Sequence, residues 1–282
     1  MEVKANNLKS KLQRMIYFGS VIQAYLFFTQ DKTCPFCKAQ DISEVANKMF
    51  LVKLFRCNQC KIMFRFPKDR KITGASEYRH PELERKVSYL PKPAELEQLK
   101  QKGFKETIYD ISDKIVHIKR YITEGNMLDY GASWGYNLWQ FLQEGFSGMG
   151  FEISAKQAVF GEKNLGLKII HVPKVLDALG EQFDVIFANH VLEHCQDIRK
   201  ELKRIYGLLK TGGFLVVYVP DCTNIEKEKW RNAYAFGQRH PLAFSRDFFK
   251  KNLPSLGLRI LEIEEDRLPE YAIRFIAKKE QR

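Results

Sequence analysis

From residue 126 onward, apolar runs alternate with segments of helical spacing. Met127 to Tyr130 predicts a strand, and Leu138, Phe141 and Leu142 behind it recur on one helical face. A second run, Gly148 to Phe151, is followed by a helix to Asn164 and a strand over Leu167 to Val172. Phe183 to Ala188 predicts a buried strand, and Ile198, Leu202, Ile205 and Leu209 form the inward stripe of a helix over Gln196 to Leu209. Thr211-Gly212-Gly213 is expected to end that helix, with a strand over Phe214 to Val219. Repeated strand–helix units predict an α/β fold with a parallel, doubly wound sheet. The chain closes differently: Arg259 to Glu264 and Tyr271 to Ala277 are separated by a short loop, which predicts an antiparallel pair at one edge.

Ahead of this core the pattern is less regular. Met15 to Phe28 is apolar apart from Gly19, Ser20 and Gln23. It is shorter than the ~20 residues that span a bilayer, and no small-residue cleavage site follows it. The expectation is a helix that buries Phe18, Ile22 and Tyr25 on the domain or on a second subunit. Residues 67–93 are charged and punctuated by Pro67, Gly74, Pro81, Pro91 and Pro93. They read as a connector, with Tyr78, His80 and Tyr89 open to substrate contact. From Ala94 the pattern turns helical, and Ile108, Ile111, Ile115, Ile118 and Ile122 make a stripe that Gly125 would stop.

Chemistry enters at the first predicted strand–helix turn, Leu128-Asp129-Tyr130-Gly131-Ala132-Ser133-Trp134-Gly135-Tyr136. Gly131 can adopt conformations closed to residues with a Cβ. Backbone N–H groups at the helix start can then face a nucleotide-like ligand. Alone the motif is weak, because Ser133 stands where a dinucleotide fingerprint has glycine. Glu152 strengthens it: it ends the second apolar run, about 20 residues on, where an acidic group reaches ribose hydroxyls.

Four of the six cysteines form two C-x-x-C pairs, Cys34/Cys37 and Cys57/Cys60, with 19 residues between them. That spacing predicts a four-thiolate zinc site, structural because it leaves no position for water. Met49 to Phe55 and Ile62 to Phe66 supply strands around it. Cys195 and Cys222 stand alone, and unpaired thiols fit a reducing, cytoplasmic setting.

Charge bears on partners. The chain carries a formal net charge of +12, of which residues 1–125 hold +10 and residues 126–220 hold −1. The core is neutral and the basic excess precedes it. An anionic partner and a merely solubilising face both stay open, since no dense basic run appears.

The set of motifs resembles class I S-adenosylmethionine-dependent methyltransferases. It is carried by Leu128 to Gly135, by Phe183-Asp-Val-Ile-Phe-Ala-Asn-His-Val-Leu-Glu-His194 and by Leu208-Leu-Lys-Thr-Gly-Gly-Phe-Leu-Val-Val-Tyr-Val-Pro220. With the cysteine module in front, the chain is similar to the branch that includes sugar C-methyltransferases. The resemblance implies a Rossmann-like methyltransferase sheet. It implies S-adenosylmethionine held by Asp129, Gly131, Ala132, Ser133, Gly135 and Tyr136, with Glu152 on the ribose. The turn at Val172 and Pro173 would flank adenine, and Asn189 and His190 would close over the cofactor. Many relatives carry an acidic residue in the adenine turn, which Val172 and Pro173 do not provide.

Three segments are expected: an N-terminal helix (1–30), a zinc-ribbon-like module with its connector (31–93) and a methyltransferase domain (94–282) with a substrate cover at 221–244. The cover holds Trp230, Tyr234 and His240. Methyl transfer needs a base only where the nucleophile must lose a proton, and His194 and His240 are the candidates. A metal at Glu193 and His194 is disfavoured, because His190 stands where some quinone O-methyltransferases carry a first carboxylate. The favoured reading is an enzyme that methylates C or O of a small molecule, such as a nucleotide-linked sugar or polar metabolite. The alternative is a modifier of RNA or protein that binds through the basic, zinc-containing half. It is not favoured, because no Asn-Pro-Pro-Tyr-like motif follows the fourth strand and the cysteine region lacks interleaved aromatic and basic clusters. Oligomerisation through the N-terminal apolar helix stays open.

Overall fold

The computed structural model describes residues 19, 22, 32–48, 52–67, 89–227, 240–266 and 271–281. The expectations for the rest of the apolar segment 15–28 and for Tyr78, His80, Trp230 and Tyr234 lie outside these residues. Ile22, expected to be buried on the domain or on a second subunit, is 46% exposed in the single chain. In chain order the elements are β1 (Ile42–Lys48), β2 (Val52–Cys57), β3 (Met63–Phe66), α1 (Pro93–Gln101), α2 (Ser112–Lys119), β4 (Asn126–Tyr130) and α3 (Tyr136–Gln143). They continue with β5 (Ser147–Phe151), α4 (Ala155–Leu165), β6 (Ile169–Ile170), α5 (Pro173–Asp177), β7 (Phe183–Asn189) and α6 (Ile198–Leu208). The last are β8 (Leu209–Pro220), β9 (Leu242–Ala243), α7 (Arg246–Asn252), β10 (Leu258–Asp266) and β11 (Ala272–Lys279). None of the described helices is long and apolar enough to cross a membrane.

The chain forms two compact units that are not consecutive stretches: residues 1–72, 193–199 and 220–252 make the first, and 73–192, 200–219 and 253–282 the second. The first is built on a four-stranded sheet in the order β1-β2-β3-β9. Its core holds Val52, Leu54, Met63, Cys222, Ile225 and Ala243. The two-residue β9 joins it by pairing Leu242 with Phe64 and Ala243 with Met63. Helix α7 is tied to the cysteine loop by Asn252, whose Nδ2 donates to the Cys60 carbonyl at 2.8 Å. The ring of Phe248 also meets Phe36 edge-on at 5.2 Å.

The second unit carries a seven-stranded sheet in the order β10-β11-β8-β7-β4-β5-β6. Strands β4 to β8 pair in parallel and β10 pairs antiparallel with β11, as the hydrophobic pattern predicts. From β4 the chain first builds outward through β5 and β6, then returns to place β7 on β4's other side. Ligands of open α/β sheets bind at such a reversal, beyond the carboxyl ends of the strands. Ile115 and Ile118 of α2 and Leu138 and Phe141 of α3 pack with Val185 and Phe187 of β7 in the central core.

Two expectations about helices need correction. The isoleucine stripe does not belong to one helix ending at Gly125: α1 and α2 are separate, and Ile108 is 59% exposed. Gly103, Phe104 and Glu106 all have positive φ between them. Phe104 is fully buried, with its ring 5.1 Å from Trp139 and 5.9 Å from Trp134, so an aromatic anchor turns the chain where the periodicity would carry it straight on. Thr211, Gly212 and Gly213 do not separate helix from strand either, since they lie inside β8.

Candidate functional site

In the second unit the turn between β4 and α3 is tightly determined. Gly131 has φ +85° and Gly135 φ +89°, values open to glycine. A Cβ at Gly131 would stand 2.3 Å from Val191 Cγ2. The Gly131 and Ala132 amides both donate to the Phe151 carbonyl, at 2.7 and 2.9 Å, which binds the turn to β5. Ser133 is a non-glycine residue at φ +53°, a strained conformation of the kind that collects at ligand sites. Its amide donates to Glu152 Oε2 at 2.9 Å, and the Ser154 amide donates to Oε1 at 2.8 Å. Ala132 is buried, and the Tyr136 ring packs 5.0 Å from Tyr109 and 5.1 Å from Trp134. Tyr136 therefore contributes its place at the start of α3 while its ring joins the core.

Buried polar atoms surround this turn. Both Asp129 carboxylate oxygens, Ser133 Oγ and Asn137 Oδ1 are buried without a well-formed hydrogen bond among the described residues. Such atoms are costly, and their concentration at one turn fits a polar ligand there. Burial pushes the Asp129 carboxyl up to about 8, with the Leu138 amide and Asn137 side chain offsetting only part of the shift. Because the folded value lies above the unfolded one, this group's favourable contribution is complete below about pH 4 and is lost as pH rises through about 8. Asp129→Asn should therefore stabilise the protein at pH 7, by on the order of 2–4 kcal/mol, and much less at pH 4.5. Urea unfolding at the two pH values measures this; an equal shift at both would show that Asp129 does not carry the titration.

At the carboxyl end of β7, Asn189 Oδ1 accepts from Lys114 Nζ at 2.9 Å, and Lys114 lies 4.6 Å from the centre of the Tyr218 ring. His190 has φ +55° and its amide donates to the Tyr218 carbonyl at 2.8 Å. Val172 precedes the first turn of α5 and is 42% exposed. Thus Asp129, the glycine turn, Glu152, Val172, Asn189 and His190 all lie at or just beyond strand ends of the one sheet. The spacing of Lys114 within a helix carried no sign of its partnership with Asn189.

The first unit brings Cys34, Cys37, Cys57 and Cys60 together, with all four sulfurs within 4.8 Å of one another. Cys34 and Cys60 sulfurs are 3.4 Å apart and those of Cys37 and Cys57 3.5 Å, too far for disulfides at about 2.05 Å. An ion about 2.3 Å from each sulfur asks for sulfurs roughly 3.8 Å apart, so the set fits tetrahedral zinc. The Cys37 and Cys60 amides donate to Cys34 and Cys57 Sγ, each at 3.4 Å, a pattern that stabilises thiolates. The hydrogen bond from Cys60 holds the Cys34 thiol down at about 5, while the same contact drives Cys60 upward.

A second group of metal-competent donors among the described residues lies in the same unit: Glu193, His194 and His240. The His194 and His240 rings are 4.7 Å apart at 71°. Glu193 and His194 end a short 3-10 turn, while His240 comes just before β9.

The methyltransferase domain model matches residues 76–263, about two thirds of the chain. The chain belongs to the methyltransferase domain family. Over 121 residues it is 29% identical to the uncharacterized protein MJ1123 of Methanocaldococcus jannaschii, an alignment covering 43% of this chain. It spans only 57% of that relative's length. Among solved structures, the chain is similar to geranyl diphosphate C-methyltransferase from Streptomyces coelicolor A3(2), with a TM-score of 0.52 at 14% identity over 64% of this chain and 81% of that one. It is also similar to the [4+2]-cyclase SpnF, with a TM-score of 0.50 at 14% identity over 62% of this chain and 82% of that one. A cyclase on this fold shows that the sheet by itself does not choose the reaction.

For this methyltransferase-family chain, the structure gathers the expected residues into three groups: the strand-end set, the four cysteines and the His194–His240 pair. Glu193 joins that pair, a residue the sequence offered only as a disfavoured metal ligand.

Proposed function

We propose that the protein is an S-adenosylmethionine-dependent methyltransferase acting on C or O of a small, anionic acceptor, a nucleotide-linked sugar being the favoured class. The observation that carries the reading is the glycine turn with Glu152 anchored across it, in a chain of the methyltransferase domain family. The cofactor supplies an electrophilic methyl group. The chain's part is to orient it through Gly131 to Gly135, Glu152, Val172, Asn189 and His190, with Asp129 and Asn137 beneath the turn. Positioning of this kind can supply most of a rate enhancement. Where the acceptor must lose a proton, His194 and His240 are the proposed imidazoles. Zinc held by the four cysteines has a structural role in this reading. A small acceptor is supported, at the level of fold, by the neighbour named for geranyl diphosphate methylation. The net charge of +12 supports a negatively charged one.

Labelled methyl transfer to a panel of nucleotide sugars and to total RNA, at low and moderate salt, tests the assignment. Labelling of a sugar is expected. Labelling of RNA alone, with affinity falling steeply in salt as counterions are released, would favour the macromolecular alternative. Where a sugar is labelled, loss of the base should cost about 10²–10⁴ in rate, so His194→Ala and His240→Ala separate base from bystander.

A further inference from the structure

We infer that Glu193, His194 and His240 form a second metal site, for a divalent transition ion, separate from the four cysteines. One donor atom from each of the three lies within 4.8 Å of the others. Two imidazoles and a carboxylate are the donor set of open zinc and non-haem iron or manganese centres. The burial pattern has the asymmetry of such a centre: Glu193 is 2% exposed, His240 half-buried and His194 exposed, so the group has a closed side and an open one. A buried carboxylate supplies the charge that favours a cation, and two imidazole nitrogens complete three ligands. The remaining positions are then free for oxygens of a small molecule, diphosphate or paired hydroxyls being the matching chemistry.

The supporting backbone is well placed for the purpose. Glu193 and His194 are consecutive in a 3-10 turn. His240 precedes Pro241, whose carbonyl accepts from the Arg65 amide at 2.9 Å, and Leu242, which pairs with Phe64. The third donor therefore arrives on a segment fastened to the β3 edge, 46 positions along the chain from His194. It does not come from His190, the position that made a metal look unfavourable in the sequence. A metal there would be held by Glu193, His194 and His240 and would supply Lewis-acid chemistry to oxygens of a bound small molecule. This deepens the functional reading above, but its test needs no turnover.

The test is titration of metal-stripped, reduced full-length protein with Co²⁺ alone and then Zn²⁺ alone, read by visible absorption and by metal analysis. Two equivalents are expected: one with sulfur-to-cobalt charge transfer from the cysteines, one without it. His194→Ala and His240→Ala should each weaken the second equivalent by at least ~10-fold, the lower bound for groups that merely support a ligand, and leave the thiolate spectrum unchanged. Glu193→Gln should do the same, the unchanged thiolate spectrum reporting that its unit is folded. Saturation at one thiolate equivalent would overturn the inference, as would a second equivalent indifferent to both histidine variants. Either result leaves the cofactor assignment standing, whereas failure of methyl transfer with the second equivalent intact would strike the functional reading alone.

Discussion

Cys57→Ser is expected to remove zinc and melt the first unit together. Four-thiolate sites couple binding to folding, with apparent binding free energies of about 10–16 kcal/mol in zinc-finger peptides. Here the coupling has a visible route. Cys57 closes β2, and its backbone amide donates to the Ile62 carbonyl at 2.9 Å to shape the second cysteine loop. The Cys60 carbonyl accepts from Asn252, which holds α7. Freshly purified, reduced protein should contain zinc bound by the cysteines. The serine variant should lose it, with hydrogen exchange rising sharply across β2, β3 and α7. Wild-type protein that carries no zinc, or a variant with unchanged exchange, would dismiss the structural role.

Gly131→Val is expected to abolish S-adenosylmethionine binding. A side chain at this position meets Val191 Cγ2 at 2.3 Å and must also adopt φ +85°. Backbone strain costs roughly 1–2 kcal/mol, and crowding typically adds about 1–3 kcal/mol. Relief requires the β4–α3 turn or the Val191 segment to move, and the proposed site is made of those segments. Gly145→Ala is the control: φ is +94°, but nothing lies within 4 Å of the added Cβ, so it pays strain without touching the turn. Calorimetry should show no binding for Gly131→Val and near wild-type affinity for Gly145→Ala. Glu152→Ala should fall between them, weakened by about 1–3 kcal/mol, since the Ser133 and Ser154 amides lose their acceptor. Unchanged affinity in both Gly131→Val and Glu152→Ala would remove the turn from the cofactor site.

The legible parts of this protein were those written in short spacings. Strands of the parallel sheet show as compact apolar runs, and α6 shows as the stripe Ile198, Leu202 and Ile205, because both periods are set by backbone geometry within a few residues; Leu209, expected as the last member of that stripe, opens β8 instead. The cysteine pairs were readable for a similar reason: two thiols three positions apart suit one loop and one ion. Gly131 and Glu152 could be linked because a strand, a turn and a helix have a nearly constant length.

What only the tertiary structure decided depends on segments that have no local reason to meet. β1 is a polar stretch that becomes a strand by pairing with β2, and β9 is two residues long, too short to show any period. The isoleucine stripe was a true signal for α2 but extended too far, because burial of Phe104 among Trp134, Trp139 and Tyr109 outweighs continued helical hydrogen bonding. Lys114 reaches Asn189 across 75 positions, and His240, just ahead of β9, comes to Glu193 and His194 from 46 positions beyond His194. Residue types and short spacings determined which chemistry this chain could carry. Long-range packing determined which of those side chains share a site, since it fixes distances that no local period encodes.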